Sequence, residues 1–142
     1  MISFTNDFGQ LLPENQLQEL FEYRHKVFIE QLGWELKTNG SIETDEFDNE
    51  HTCYVIAKNN EGDITGCSRL LPTTQPYLLE CIFPMLLEGV FPPKSKDIWE
   101  LSRFTSMNVS GLKGNNNGQM TGDLTQRLLW ESFDIAKQNG AR

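Results

Sequence analysis

No apolar run in this 142-residue chain approaches the roughly twenty residues of a membrane-spanning helix. The N-terminal residues 1–12 lack a basic stretch followed by an apolar one, so no secretory leader is read there. The expected location is the cytoplasm, with no membrane insertion. Basic residues are scarce, 12 Lys/Arg against 20 Asp/Glu for a net charge of −8. Residues 1–90 carry 5 Lys/Arg and 15 Asp/Glu, a net of −10, whereas residues 91–142 carry a net of +2. That deficit argues against nucleic acid as a partner. Cysteine is sparse too. Cys53, Cys67 and Cys81 are 14 residues apart, whereas a metal site uses close pairs and a disulfide framework an even number. They are expected to be free buried thiols, with Cys53 and Cys67 facing each other across a hairpin.

What is present is ordinary for one globular domain over residues 1–142: 38% hydrophobic and 23% charged residues. Pro13-Glu14 starts a helix predicted to run to Leu32, with Gly33 as its stop. Residues 34–50 are an acidic loop carrying Trp34 and Phe47. Residues 52–58 and 64–71 read as a hairpin around an Asn/Gly turn. Residues 77–88 read as a short helix interrupted by Pro84, and Phe91-Pro92-Pro93 as a rigid connection. Residues 98–107 form the next strand, 108–122 a Gly/Asn-rich loop, and 123–139 an amphipathic helix. In that last helix Leu124, Leu128 and Ile135 form the stripe, with Trp130 and Phe133 as further candidates. A helix after three antiparallel strands leaves a sheet edge uncovered, so C-terminal elements are expected to be missing.

Charged residues interrupt the apolar patterns. Arg24 falls on the stripe of Leu17, Leu20, Phe21, Phe28 and Leu32, where it would either snorkel to water or enter a pocket. Arg69 sits among Cys67, Leu70 and Leu71. Glu100 and Arg103 interrupt Trp99-Glu100-Leu101-Ser102-Arg103-Phe104, which otherwise reads as a buried strand. An unpaired buried charge costs several kcal/mol or more, so these residues must pair or serve chemistry. Side chains alternate along a strand, so Glu100 and Arg103 reach one site only across a bulge. Asp45 and Asp48 in the acidic loop supply the opposite charge.

In order, the segments Arg24-His25-Lys26-Val27-Phe28, Leu32-Gly33-Trp34, Asp45-Glu46-Phe47-Asp48, Gly66-Cys67-Ser68-Arg69-Leu70-Leu71-Pro72 and the 99–104 strand resemble the acyl-homoserine-lactone (autoinducer) synthase family. The resemblance covers most of the chain. It implies an α/β fold, an acetyltransferase-like three-layer αβα sandwich around a mainly antiparallel mixed sheet whose C-terminal strands, the acyl-pocket elements, are absent here. It also implies transfer of an acyl group from acyl carrier protein to S-adenosylmethionine, giving an N-acyl-homoserine lactone and methylthioadenosine. No cofactor and no metal are implied, since S-adenosylmethionine is a substrate. The coenzyme A pyrophosphate motif of acetyltransferases is absent, which fits a carrier-bound donor.

The resemblance carries roles onto residues. Glu100 would be the base, acting through water on the attacking amine. Backbone N–H groups freed by a bulge near Leu101-Ser102 would face the oxyanion. Phe28 and Trp34 offer aromatic faces to a sulfonium, and Asp45 a charge. Phe83 and Phe104 complete the substrate-binding set. Arg24 would grip a carboxylate or orient the acidic cluster. Asp48, Arg69 and Arg103, with Asp45, would act catalytically or form an ion-pair network that fixes the loop. Acyl carrier protein is expected to dock near Lys113, Arg127, Lys137 and Arg142. Two other readings stay open: an N-acyltransferase using acyl-CoA and another amine, and a non-catalytic remnant.

Overall fold

The structure is a computed structural model describing residues 1–109 and 122–142. Four antiparallel strands form the main sheet: β1 (Ser3–Phe8), β4 (Cys53–Lys58), β5 (Ile64–Pro72) and β6 (Trp99–Thr105), in the order β1-β4-β5-β6. A small hairpin, β2 (Thr38–Asn39) with β3 (Ile42–Glu43), precedes β4. α1 (Glu14–Arg24) covers one face and α3 (Gly122–Gln138) the other. The short α2 (Leu78–Cys81) and a 3₁₀ turn (Pro84–Leu87) lie between β5 and β6.

Period-two alternation sorts the two faces. Tyr54, Ile56 and Cys67 pack with Leu20, Tyr23, Val27 and Phe28 of the α1 layer. Cys53, Val55 and Leu70 pack with Leu128, Ile135 and Ala136 of α3. Ser132 interrupts the α3 stripe, and its hydroxyl meets that of Ser68 at 2.7 Å, so the buried polar pair is satisfied. Gly66 lies where β5, β6 and α3 converge, and a Cβ there would stand 3.1 Å from the Thr105 carbonyl oxygen and 3.3 Å from Leu128.

Several expectations need correction. The helix over 14–32 exists, but from His25 to Gln31 it is π-helical, with the Leu32 N–H reaching the Val27 carbonyl at 2.9 Å. Strand β1 was not expected. Its Phe4 and Phe8 pack under α3, but the intervening residues Thr5, Asn6 and Asp7 are polar and hide the alternation. Cys53 lies opposite Leu70 and Cys67 opposite Ile56, so the two thiols sit on opposite sheet faces rather than facing each other. Both are buried, and burial pushes each up to about 12, whereas Cys81 is exposed. Trp130 and Phe133 are also exposed and do not join the α3 core. Most of the predicted 108–122 loop, including Lys113, lies outside the described residues. No described helix is long and apolar enough to cross a membrane.

Candidate active site

The site is built where α1, the β3–β4 loop, β5 and β6 meet. Arg24 leaves α1 on its sheet-facing side and is 1% exposed, so it neither snorkels to water nor opens into a cavity. Its Nε and Nη2 donate to Glu43 at 2.9 and 3.1 Å, and Nη1 and Nη2 donate to Asp48 at 2.7 and 3.0 Å. Arg69, on β5, donates from Nη1 to Asp45 at 2.6 Å and from Nε to the Ser102 hydroxyl at 3.0 Å. Arg103, on β6, donates from Nε to Glu43 at 2.8 Å and from Nη2 to Asp45 at 3.1 Å. Three guanidinium groups and three carboxylates therefore neutralise one another.

The carboxylate ligand atoms of Glu43, Asp45 and Asp48 lie within 4.8 Å of one another, close enough to hold a cation. The arginines already supply that positive charge. Burial opposes ionisation of Glu43 and Asp48, but the guanidinium groups outweigh it. Arg103 and Arg24 hold Glu43 below its ordinary value, and Arg24 and Arg69 hold Asp48 well below its own. Burial works against the Arg24 charge, yet Asp48 and Glu43 raise its pKa further above the ordinary value. The acidic loop is fixed locally as well, since Asp48 accepts the Asp45 N–H at 2.9 Å and Asp45 accepts that of Phe47 at 2.9 Å. The Tyr54 hydroxyl donates to Asp48 at 2.7 Å.

A bulge does fall on β6. Arg69 pairs with Ser102 and Cys67 with Thr105, leaving Arg103 and Phe104 opposite Ser68 alone. Arg103 takes φ +50°, a left-handed conformation that costs a side-chain-bearing residue about 1–2 kcal/mol. Its ion pairs offset that cost. The extra residue puts Ser102 and Arg103 on the site face together. The bulge lies just past the expected Leu101-Ser102 position. Leu101 and Phe104 face the other way and pack with the α3 cluster, away from this network.

Next to this network opens a cavity of about 650 Å³ with mostly apolar walls. Trp34, Leu36, Phe47, Leu78, Ile82 and Phe83 contribute apolar surface, and Asp45, Glu46, Ser102 and Arg103 polar groups. The Phe28 and Trp34 rings stack 4.7 Å apart, with the Arg103 guanidinium 5.8 and 6.0 Å from their centroids. Phe28 is buried, whereas Trp34 and Phe83 are half-exposed. The acidic loop over 34–50 thus forms a wall of this cavity, and its inward acids meet arginines. Glu100 stands apart from the network. Its two oxygens accept the Leu78 and Leu79 backbone N–H groups at 3.0 and 2.9 Å.

Sequence reasoning missed Glu43 and Tyr54. Glu43 lies in the acidic run, where composition does not separate it from exposed Glu50, and it is buried on β3 against Arg24 and Arg103. Of the expected docking residues, Lys137 and Arg142 border a second cavity of about 550 Å³, with Trp99, Leu101 and Phe133. Arg127 instead lies over the Phe4 ring, 5.1 Å from its centroid.

A sequence profile described as autoinducer synthase matches residues 9–140. An acyl-homoserine-lactone synthase of Acinetobacter nosocomialis is 42% identical over 98% of this chain and 74% of its own length. The crystal structure of the AHL synthase LasI superposes with a TM-score of 0.84 at 31% identity, covering 100% of this chain and 69% of that one. A CoA-dependent acyl-homoserine lactone synthase, BjaI, solved with SAM and isopentyl-CoA, gives 0.76 at 29% identity, covering 97% of this chain and 61% of that one. The acetyltransferase-like sandwich expected from the sequence is therefore the fold observed, and the chain belongs to the autoinducer synthase family of acyltransferases.

Proposed function

We propose that this chain acylates the amine of S-adenosylmethionine, taking the acyl group from acyl carrier protein, and closes the product to an N-acyl-homoserine lactone. The observation that carries this reading is the cavity itself. The Trp34 ring, backed by buried Phe28, and the Phe83 ring offer aromatic surface beside Asp45 and Glu46, which suits a sulfonium bearing a flat base. In the first step the amine nitrogen bonds to the thioester carbonyl carbon. The C–S bond breaks, the thiolate leaves, and the amine proton ends on the thiol. In the second step a carboxylate oxygen of the same substrate attacks its γ-carbon, and methylthioadenosine leaves as a neutral thioether. The protein's share of that step is to hold the folded-back conformer.

The amine needs only modest help. An α-amino group titrates near 8, so roughly one in ten is already neutral at pH 7. Developing charge on the tetrahedral oxygen needs a donor instead. Ser102 is our candidate for this donor, supported by its oxygen accepting from Arg69 and by its lining the cavity, which leaves its own O–H to donate. Arg24, Asp48 and Arg69 act as positioning residues, and Arg103 and Asp45 join the network to the cavity wall.

The carrier-bound donor is preferred because the sequence lacks the coenzyme A pyrophosphate motif of acetyltransferases. Lys137 and Arg142, the latter paired with Asp97 at 3.8 Å, border the second cavity and suit an anionic donor of either kind. The discriminating experiment compares the two donors, with methylthioadenosine release as the readout. Donor-dependent release from S-adenosylmethionine with acyl carrier protein supports the reading. Release only with acyl-CoA removes the carrier, and acylation of a different amine without release removes the substrate.

A further inference from the structure

We infer that Glu100 is a positioning residue that staples the apolar wall of the cavity to the sheet, rather than the proton acceptor. The inference rests on the reaction proposed above. Ser102 and Arg103 line the cavity, but Glu100 is not among its lining residues. Its two oxygens each accept one backbone N–H, from Leu78 and Leu79 at the start of α2. No side chain caps that helix from Tyr77, so the carboxylate from β6 does the work of a cap across 22 residues of sequence.

The bonds continue towards the site. The Leu78 carbonyl accepts the N–H of Ile82 at 2.8 Å and that of Phe83 at 3.2 Å. Ile82 and Phe83 are the half-exposed residues that face the cavity. The Leu78–Leu79 peptide thus holds Glu100 through its N–H and hangs the wall from its carbonyl, while the Leu78 N–H, on the preceding peptide, holds the other Glu100 oxygen. At its far end the segment is pinned by Tyr77, whose ring is buried with Leu71 and Phe47 and whose hydroxyl donates to the Pro93 carbonyl at 2.5 Å. Glu100 lies opposite Leu71 on β5, so the staple is anchored at a regular, paired part of the sheet.

The consequence is a division of kinetic effects. Loss of the staple lets Ile82 and Phe83 drift and weakens S-adenosylmethionine binding. It leaves Ser102, Arg69 and the chemical step in place. Two variants approach the same bond from opposite ends. Glu100→Gln keeps the shape but turns one acceptor into an N–H₂ that faces a backbone donor. Leu78→Pro removes the Leu78 donor and keeps the carboxylate. Proline is tolerated at the first helical position, and Tyr77 already has the extended backbone (φ −138°, ψ 168°) that precedes proline. Leu78→Ala controls for the lost side chain.

In the full chain, E100Q against wild type and L78P against L78A should each raise the KM for S-adenosylmethionine on the order of tenfold, the worth of a hydrogen bond to a charged acceptor. Both should leave kcat within about threefold, and the acid limb of the pH–kcat/KM profile should persist in E100Q. A hundredfold fall in kcat for E100Q at unchanged KM, with the acid limb gone, would overturn the inference. So would an L78P enzyme that behaves like L78A. Amide exchange gives a readout independent of turnover: the Ile82 and Phe83 N–H groups should exchange at least tenfold faster in E100Q, and unchanged exchange overturns the staple even if the proposed reaction itself proves wrong.

Discussion

Glu43 offers the sharpest test of the buried charge network. It is fully buried and shared between Arg24 and Arg103. Glu43→Gln preserves its shape but leaves three guanidinium groups facing two carboxylates. Breaking a buried ion pair from one side costs about 3–5 kcal/mol, because the surviving charge is desolvated without compensation. At about 2.1 cal/mol/K per residue, a chain of 142 residues has an unfolding entropy near 0.3 kcal/mol/K, so the loss lowers Tm by roughly 10–17 °C. Thermal unfolding followed by circular dichroism at pH 7 measures this directly. Glu50→Gln is the control, since Glu50 is exposed in the same acidic run and should move Tm by less than about 2 °C. A Glu43→Gln shift within a few degrees of that control would refute the claim that the network is a neutral, mutually dependent unit.

The same network fixes a pH dependence. Glu43 and Asp48 titrate below their ordinary values of 4.5 and 3.8 in the folded state, so their contribution is complete above those values and is lost as pH falls through the depressed folded ones; denaturant midpoints should drop on acidification below about pH 5, and a flat profile to pH 3 would contradict this. Trp34→Ala removes half of the Phe28 stack and should weaken S-adenosylmethionine binding about tenfold by calorimetric titration, with unfolding little affected because Trp34 is half-exposed. Charge reversal of Arg127 and Lys137 together should raise the KM for acyl carrier protein, more at low salt than at high, whereas a salt-independent or absent effect removes this docking face. A thiol reagent should modify Cys81 in the native protein and Cys53 and Cys67 only on unfolding, with one equivalent titrated before denaturation and three after.

Much of this arrangement is legible in the sequence where a physical pattern has one solution. The β4–β5 hairpin follows from two apolar runs around an Asn/Gly turn, and α3 from the spacing of Leu124, Leu128 and Ile135. Alternation makes a bulge on β6 the condition for Glu100 and Arg103 to share a face, and the register shows one between Ser102 and Thr105. What the sequence hides depends on backbone partners. The π-helical turn after Arg24 shifts hydrogen bonds without changing residue types. Glu43 is buried on β3, a two-residue strand with almost no signature. The engagement of Glu100 is with main-chain N–H groups, which no side-chain pattern reveals. A charged residue in an apolar run therefore announced that a partner existed, but whether that partner was a substrate, a salt bridge or a peptide group depended on the fold.

The most direct test of the account is methylthioadenosine release by the purified chain given S-adenosylmethionine with acylated carrier protein, followed alongside the N-acyl-homoserine lactone. The account predicts equal amounts of the two products, no release without the acyl donor, and loss of both in Ser102→Ala with S-adenosylmethionine binding retained. Methylthioadenosine released without donor, or a Ser102→Ala enzyme as fast as wild type, would contradict it.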